Sequence, residues 1–163
     1  MNAVAHSTFA FQEQLPLPIE LEKFNQILAF TSPNGHNVRV NAWSSSWYKK
    51  LQTRFNEITS LPLGWDGYGG RPVSFTCAAF AAKLLERISI DGISEPALVP
   101  GGDGTLQIEW HRNKYDIEID ILGANRVKAM RYDHSTSKEE IIELDVDFTI
   151  LKNWIADMAT VRI

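Results

Sequence analysis

The chain has 163 residues, of which 44% are hydrophobic and 22% charged, a balance typical of one globular domain. Its net charge is −4, and sixteen of its twenty acidic residues follow position 64, which argues against a protein that binds nucleic acid through a basic stripe. The single cysteine, Cys77, excludes an internal disulfide and a cysteine-based zinc site within one chain, so we expect a reducing, cytoplasmic environment.

The first residues are weakly patterned. They include Leu15-Pro16-Leu17-Pro18, which is typical of an extended arm. They lack the basic start and apolar run of a secretory signal, and no window is long and apolar enough for a membrane span. We therefore predict an arm, residues 1–18, followed by a single domain, residues 19–163.

A hairpin and an amphipathic helix are predicted next. The turn 32–35 separates two short stretches, 26–31 and 36–43, and its Asn34-Gly35 pair is typical of a β-hairpin. The serines at 44–46 are candidate N-caps for a helix whose apolar residues recur at helical spacing. Those apolar residues are Trp47, Leu51, Phe55 and Ile58.

The stretch 61–72 is predicted to be a rigid corner between two helices. Its glycines allow backbone angles closed to other residues, its prolines restrict φ, and its two aromatic side chains offer surface to bury. It lacks the spacing of a phosphate loop or a dinucleotide-binding loop and has too few carboxylates for a calcium loop. We interpret this corner as structural, with the central residues Gly64, Trp65, Asp66, Gly67, Tyr68 and Gly69.

A second helix is predicted after the corner. Ser74 stands at its start, residues 75–88 are rich in strong helix formers, and the helix is expected to end near Ser89. Cys77 in its first turn has two interpretations: a buried packing side chain, which we favour, or a reactive thiol.

From residue 96 the pattern changes from helical to alternating. Apolar residues take every second position of 106–110 and 115–121, and 127–132 and 140–144 are predicted as further strands. Asp147 is a candidate cap for a last helix. The sequence therefore predicts an α+β fold, in which an antiparallel sheet of three to four meandering strands carries helices on one face, plus the N-terminal hairpin.

Acidic side chains are predicted to share the other face of this sheet. A four-residue turn, 111–114, places Glu109 opposite Asp116, where like charges repel, and Lys128 is expected opposite Asp120. This surface has two interpretations: a solvated face that maintains solubility, or a docking surface for a basic partner protein. Its candidate binding residues are Glu109, Asp116, Glu118 and Asp120.

No motif in the chain indicates a cofactor or a metal site. The four histidines lack zinc-binding spacing, and no nucleophile elbow is present. Because a catalytic site needs a nucleophile, an orienting group and a pocket, we expect a protein that is not an enzyme. The alternative is a small hydrolase or ligand-binding enzyme centred on Trp65-Asp66-Gly67-Tyr68.

The span from residue 61 to 110 resembles a loose group of small bacterial proteins of uncharacterised function. They share a Trp-Asp-Gly-Tyr-Gly corner, here 65–69, and an Asp-Gly strand ending in Glu-Trp, here Asp103-Gly104 and Glu109-Trp110. The resemblance covers about a hundred residues through the sheet and leaves residues 1–45 unmatched. It implies a bacterial or phage context in the cytoplasm, and no activity.

We therefore expect a non-catalytic interaction module that binds a protein with a basic surface. An antitoxin, an immunity protein or a phage-encoded inhibitor of a bacterial defence complex fits this description. Direct contact with nucleic acid or membrane is not expected. A homodimer formed through an uncovered strand edge or the aromatic N-terminal region is a further interpretation.

Overall fold

The structure, a computed structural model, describes residues 26–32, 34–42 and 47–160. The predicted arm 1–18 and the candidate caps 44–46 lie outside the described residues. The described elements, in chain order, are β1 (Gln26–Thr31), β2 (Asn37–Ala42), α1 (Tyr48–Thr59), α2 (Phe75–Ile88), β3 (Ala97–Pro100), β4 (Leu106–Arg112), β5 (Tyr115–Gly123), β6 (Arg126–Asp133), β7 (Lys138–Leu144) and α3 (Thr149–Thr160). The α+β class and the hairpin β1–β2 are confirmed.

The main sheet has five strands, in the order β3-β4-β5-β6-β7, and each neighbouring pair is antiparallel. The prediction of three to four strands is therefore too low. The strand that the sequence pattern misses is β3, whose four residues end in Pro100. Four residues show too little alternation to be recognised, and proline is tolerated in a sheet only where its missing N–H is not needed.

The turn between β4 and β5 is shorter than predicted. Arg112 pairs with Tyr115, which leaves a two-residue turn in which Asn113 has a φ of 57°. Asparagine tolerates this left-handed conformation, which two-residue hairpins require. Glu109 therefore lies opposite Glu118 and not opposite Asp116. The register differs by two residues from the predicted one, so every side chain keeps its face.

One face of the main sheet is buried by helices. Ile117, Ile119 and Ile121 of β5 are completely buried, and α2 packs on β4 and β5. Helix α3 packs beside α2, and its apolar stripe joins the same core. No helix among the described residues combines the length and the apolar character needed to cross a membrane. The buried stripe of α3, with the residue before it, consists of Phe148, Leu151, Trp154, Ile155 and Met158.

The caps of the last two helices are those that the sequence predicts. The Ser74 hydroxyl accepts the Cys77 N–H at 3.2 Å, and α2 ends at Ile88. The Asp147 carboxylate accepts the Thr149 N–H at 2.9 Å. Cys77 is buried, which agrees with the favoured interpretation of this residue as a packing side chain.

The hairpin does not extend the main sheet but packs on the helices. The ring of Phe30 in β1 stacks on that of Phe55 in α1, with centroids 4.8 Å apart and planes 6° from parallel. Phe30 also meets Phe75 at the start of α2 edge to face. Because α1 also contacts β3 and α2 also contacts β5, these two helices connect the hairpin to the sheet.

Replacing Phe55 by alanine is expected to lower the free energy of unfolding by about 3–5 kcal/mol, since it removes a fully buried ring and its stacking contact. Urea unfolding followed by tryptophan fluorescence measures this loss. Leu63→Ala is the control, because Leu63 is 79% exposed and its removal is expected to change stability by less than about 0.5 kcal/mol. Equal losses in the two variants would contradict the packing of the hairpin on α1.

Candidate protein-docking face

The four acidic residues that the sequence singles out lie on one face of the sheet. Glu109 belongs to β4, and Asp116, Glu118 and Asp120 alternate along β5 with the buried isoleucines. Lys128 of β6 lies opposite Asp120, as predicted. All four acidic side chains are partly exposed. We call the surface formed by these four residues the acidic face; the described helices pack against the opposite, isoleucine-lined side of the sheet.

Apolar side chains accompany the carboxylates on this side of the sheet. Residues that are paired across neighbouring strands point to the same face. Ile141 of β7 is 55% exposed and Val99 of β3 is 39% exposed. One row of paired residues across all five strands consists of Ala97, Glu109, Glu118, Met130 and Ile141. The neighbouring row consists of Val99, Gln107, Asp120, Lys128 and Glu143.

Glu109 and Glu118 form a pair of like charges directly across two strands, an arrangement that destabilises a sheet unless neighbours compensate. Each glutamate has one such neighbour. The His111 Nε2 lies 3.3 Å from a Glu109 carboxylate oxygen, and the Gln107 amide donates to Glu118 at 3.1 Å. The repulsion is therefore reduced by hydrogen bonds on the face itself.

Asp120 lies on the same face and is partly buried. Burial raises its pKa, an effect that the Lys128 ammonium opposes and the Glu109 carboxylate reinforces. A cation brought by a partner interacts more strongly with a partly desolvated carboxylate than with a fully hydrated one, because the local dielectric constant is lower.

Asp116 is bound by two histidines, a contact that sequence reasoning missed. The His111 Nδ1 lies 3.0 Å from its Oδ1, and the His134 Nε2 lies 2.7 Å from its Oδ2. Burial opposes the ionisation of Asp116, but the hydrogen bonds from both histidines outweigh it and lower its pKa. The hydrogen bond to Asp116 raises the pKa of His111. No spacing signal predicts this cluster, because His134 follows Asp116 by eighteen residues and meets it only through strand pairing.

The described residues contain no group of three or more histidine, cysteine or acidic side chains that is arranged to hold a metal ion. Two carboxylates of the acidic face, Glu109 and Asp116, are bonded to the neighbouring imidazoles of His111 and His134. Such a surface presents carboxylate acceptors to a cationic group that approaches from solvent.

The glycine corner is organised by a single carboxylate. Asp66 Oδ1 accepts the N–H groups of Tyr68 at 2.9 Å and Gly70 at 2.8 Å, and these bonds lower the pKa of Asp66. The Trp65 indole donates to the Arg71 carbonyl at 2.9 Å. These bonds hold the loop in one shape. The left-handed positions of the loop are Gly64, Gly67 and Gly69, whose φ values are 77°, 81° and 94°.

Backbone bonds tie the corner and the two residues after it, Val73 and Ser74, to the turn before β4 and to α1. The N–H of Arg71 donates to Gly102 at 2.9 Å, and that of Ser74 donates to Gly104 at 2.9 Å, both in the turn before β4. The N–H of Val73 donates to the Ile58 carbonyl of α1 at 3.0 Å. The corner therefore sets how α1, α2 and the main sheet meet.

Tyr68 is 95% exposed, so the expectation that both aromatic rings of the corner are buried is wrong for this residue; Trp65 is half-buried. The Asp66 carboxylate occupies the space beside Gly70 in the loop. A Cβ on Gly70 stands 2.6 Å from the Asp66 carboxyl carbon. Among the described residues, the hydrogen bonds to Asp66 come from backbone amides and not from a titratable side chain.

Comparisons with protein-family models, with curated proteins and with solved structures find no match to this chain. The resemblance to small bacterial proteins with a Trp-Asp-Gly-Tyr-Gly corner therefore stays a prediction.

Replacing Gly70 by alanine is expected to destabilise the protein by about 1–3 kcal/mol, since the new methyl group overlaps the Asp66 carboxylate that organises the corner. Urea unfolding measures the change. Gly123→Ala is the matched control, because the nearest atom to its new methyl group, on Arg126, is 4.0 Å away. A Gly70→Ala variant as stable as the control would show that the corner is not tightly packed.

In the Asp116→Asn variant the pKa of His111 is expected to fall, since the hydrogen bond that raises it above its usual value of 6.5 is weakened. A raised pKa stabilises the fold below pH 6.5, and this stabilisation is lost as the pH rises through the pKa of the folded state. The stability advantage of the native protein over the variant is therefore expected to shrink above neutral pH. Proton NMR titration of the imidazole and unfolding at several pH values check both effects. Asp120→Asn is the control. It leaves the hydrogen bonds of His111 intact, so the pKa of His111 is expected to be unchanged.

Proposed function

We propose that this chain is a non-catalytic interaction module that binds a basic protein through the acidic face of its sheet. One observation carries the proposal. Carboxylates and exposed apolar side chains lie together on a face of the sheet that the described helices leave uncovered. Glu109, Glu118 and Ile141 stand in one row of paired residues on that face. This combination is that of a protein interface, in which apolar side chains bury area and charges select the partner.

The charges set the chemistry of the partner. Glu109 and Glu118 are adjacent and of the same sign, so a cation placed between them relieves repulsion as well as forming new bonds. Arginine and lysine side chains provide such cations, and arginine bonds to two carboxylate oxygens at once. An acidic surface of this kind also speeds encounter with a basic protein and disfavours acidic ones.

Basic surfaces are common on proteins that bind nucleic acid, and a protein that covers such a surface inhibits its owner. We therefore propose a role as an antitoxin, an immunity protein or a phage-encoded inhibitor of a bacterial defence complex. In each role the chain contacts the basic protein and not the nucleic acid.

Reversing two charges of the acidic face, in the variant Glu118→Lys/Asp120→Lys, is expected to abolish co-purification with the partner, because the partner's cations then meet cations. Asp116 is left unchanged, since it is bonded to two histidines and its loss also removes a hydrogen-bond partner from each of them. The measurement is affinity purification of the tagged full-length chain from cells of its native source. Binding of the native chain is expected to weaken as salt concentration rises.

The matched control is Glu57→Lys/Asp91→Lys, which changes the net charge equally at exposed positions of α1 and of the turn after α2. Both double variants are expected to stay folded, which thermal unfolding checks, although Glu118→Lys/Asp120→Lys is expected to unfold at a lower temperature than the control, because its new lysine at position 120 lies opposite Lys128. Retention of the partner by the acidic-face variant, or equal loss in both variants, would contradict the proposed function.

A further inference from the structure

The two edges of the main sheet differ. At the β3 edge, the Arg54 Nε and Nη2 donate to the Leu98 carbonyl at 3.1 and 3.0 Å, and Pro100 has no N–H to offer. Helix α1 also packs on β3. This edge is therefore closed to a further strand. Edge strands that are blocked in this way are a common protection against unwanted pairing.

The β7 edge has no such cover in the part of the chain that the structure describes. β7 has seven residues, Lys138–Leu144, and among the described residues it pairs with β6 alone. In an antiparallel strand every second residue turns its N–H and C=O away from its neighbour. β7 therefore offers a row of backbone donors and acceptors about 24 Å long, at roughly 3.4 Å per residue.

The side chains of β7 define what this edge accepts. On the acidic-face side, Glu139, Ile141 and Glu143 alternate along the strand, and all three are exposed. On the opposite side, Glu140 is already bonded to Arg131 at 3.0 Å and to Lys138 at 3.2 Å. The available pattern along the edge is therefore acidic, apolar, acidic at every second residue.

This pattern argues against a second copy of the chain as the added strand in the register that centres on Ile141. A two-fold axis at Ile141 would pair β7 with itself antiparallel and set Glu139 of each copy opposite Glu143 of the other. Like charges directly opposite each other destabilise such a pair, and here the repulsion occurs twice. Residues 1–25 do not carry a matching pair of cations either, because they contain three glutamates and a single lysine or arginine residue, Lys23.

We propose that the basic partner adds an extended segment to β7, with the side-chain pattern basic-x-apolar-x-basic facing Glu139, Ile141 and Glu143. The inference rests on the proposed function, since it takes the partner to be a basic protein. Backbone hydrogen bonds along the edge provide affinity in this type of recognition, and the alternate side chains provide specificity. The added strand extends the acidic face, so both surfaces contact one partner.

The test uses the full-length chain and the synthetic peptide Thr-Lys-Thr-Val-Thr-Lys-Thr, which carries the proposed pattern. Amide hydrogen exchange of the free protein comes first, and alternate amides of β7 are expected to exchange fast. Added peptide is expected to slow these amides by about tenfold or more and to shift the NMR signals of residues 138–144. A peptide of the same composition with adjacent lysines is expected to bind weakly.

Two further comparisons distinguish strand addition from simple charge attraction. N-methylation of the amides at the two lysines and the valine, or of those at the threonines, removes the donors on one edge of the peptide only. The peptide whose methylated edge faces β7 is expected to lose binding, and the other is expected to keep it. If binding came from charge attraction alone, both methylated peptides would bind equally well. The variant Glu139→Lys/Glu143→Lys is expected to bind the original peptide at least about tenfold more weakly than Glu57→Lys/Asp91→Lys.

Several results would overturn the inference. One is uniformly slow amide exchange of β7 in the free protein. Another is a dimer, detected by analytical ultracentrifugation, in which the β7 amides are protected. In both cases the edge already has another occupant. Others are the absence of binding, equal loss for both methylated peptides, or signal shifts confined to β4 and β5. The proposed function is judged separately, because Glu118→Lys/Asp120→Lys removes the partner while leaving the backbone edge of β7 intact.

Discussion

The packing of one side of β5 against α2 is the contact on which the other features depend. Ile117, Ile119 and Ile121 are fully buried, and each contributes about 1.5–3 kcal/mol by leaving water. Small side chains on α2, Ala78 and Ala81, are buried there as well, which permits a close approach. Because the described helices pack on this one side of the sheet, its opposite side lies at the surface.

The glycine corner makes that one-sided arrangement possible. It turns the chain from α1 into α2 and, through backbone bonds to the turn before β4, sets where both helices lie on the sheet. Its interior is filled by the Asp66 carboxylate, which accepts amides that a turn of this shape otherwise leaves without a partner. A carboxylate used in this way is an acceptor of structural hydrogen bonds, which explains why a glycine-rich loop with a single carboxylate need not be a catalytic site.

The acidic face carries a local conflict that folding does not require. Glu109 beside Glu118 is unfavourable in an isolated sheet, and the bonds from His111 and Gln107 only reduce the repulsion. Features that break a local rule without benefit to the fold are expected at functional sites. The open β7 edge is a second such feature, since edges without cover are exposed to unwanted pairing. Both lie on the part of the molecule that the described helices leave exposed.

The sequence by itself determined which residues share a face, because the alternation along 115–121 is a local property that survives a change of register. It also determined the α+β class, the hairpin and the caps of α2 and α3, which depend on near neighbours in the chain; the N-cap of α1 is Trp47 and not one of the serines at 44–46. Only the tertiary structure decided the register, which follows from the left-handed turn at Asn113, and the meeting of Asp116 with His134 across two strands. It also decided that β3 joins the sheet and that Tyr68 points to solvent. The bond between Asp116 and His134 and the bond from Arg54 to β3 join residues far apart in the chain, and no short sequence pattern carries that information. The register depends instead on a local turn, whose length the alternating pattern leaves open.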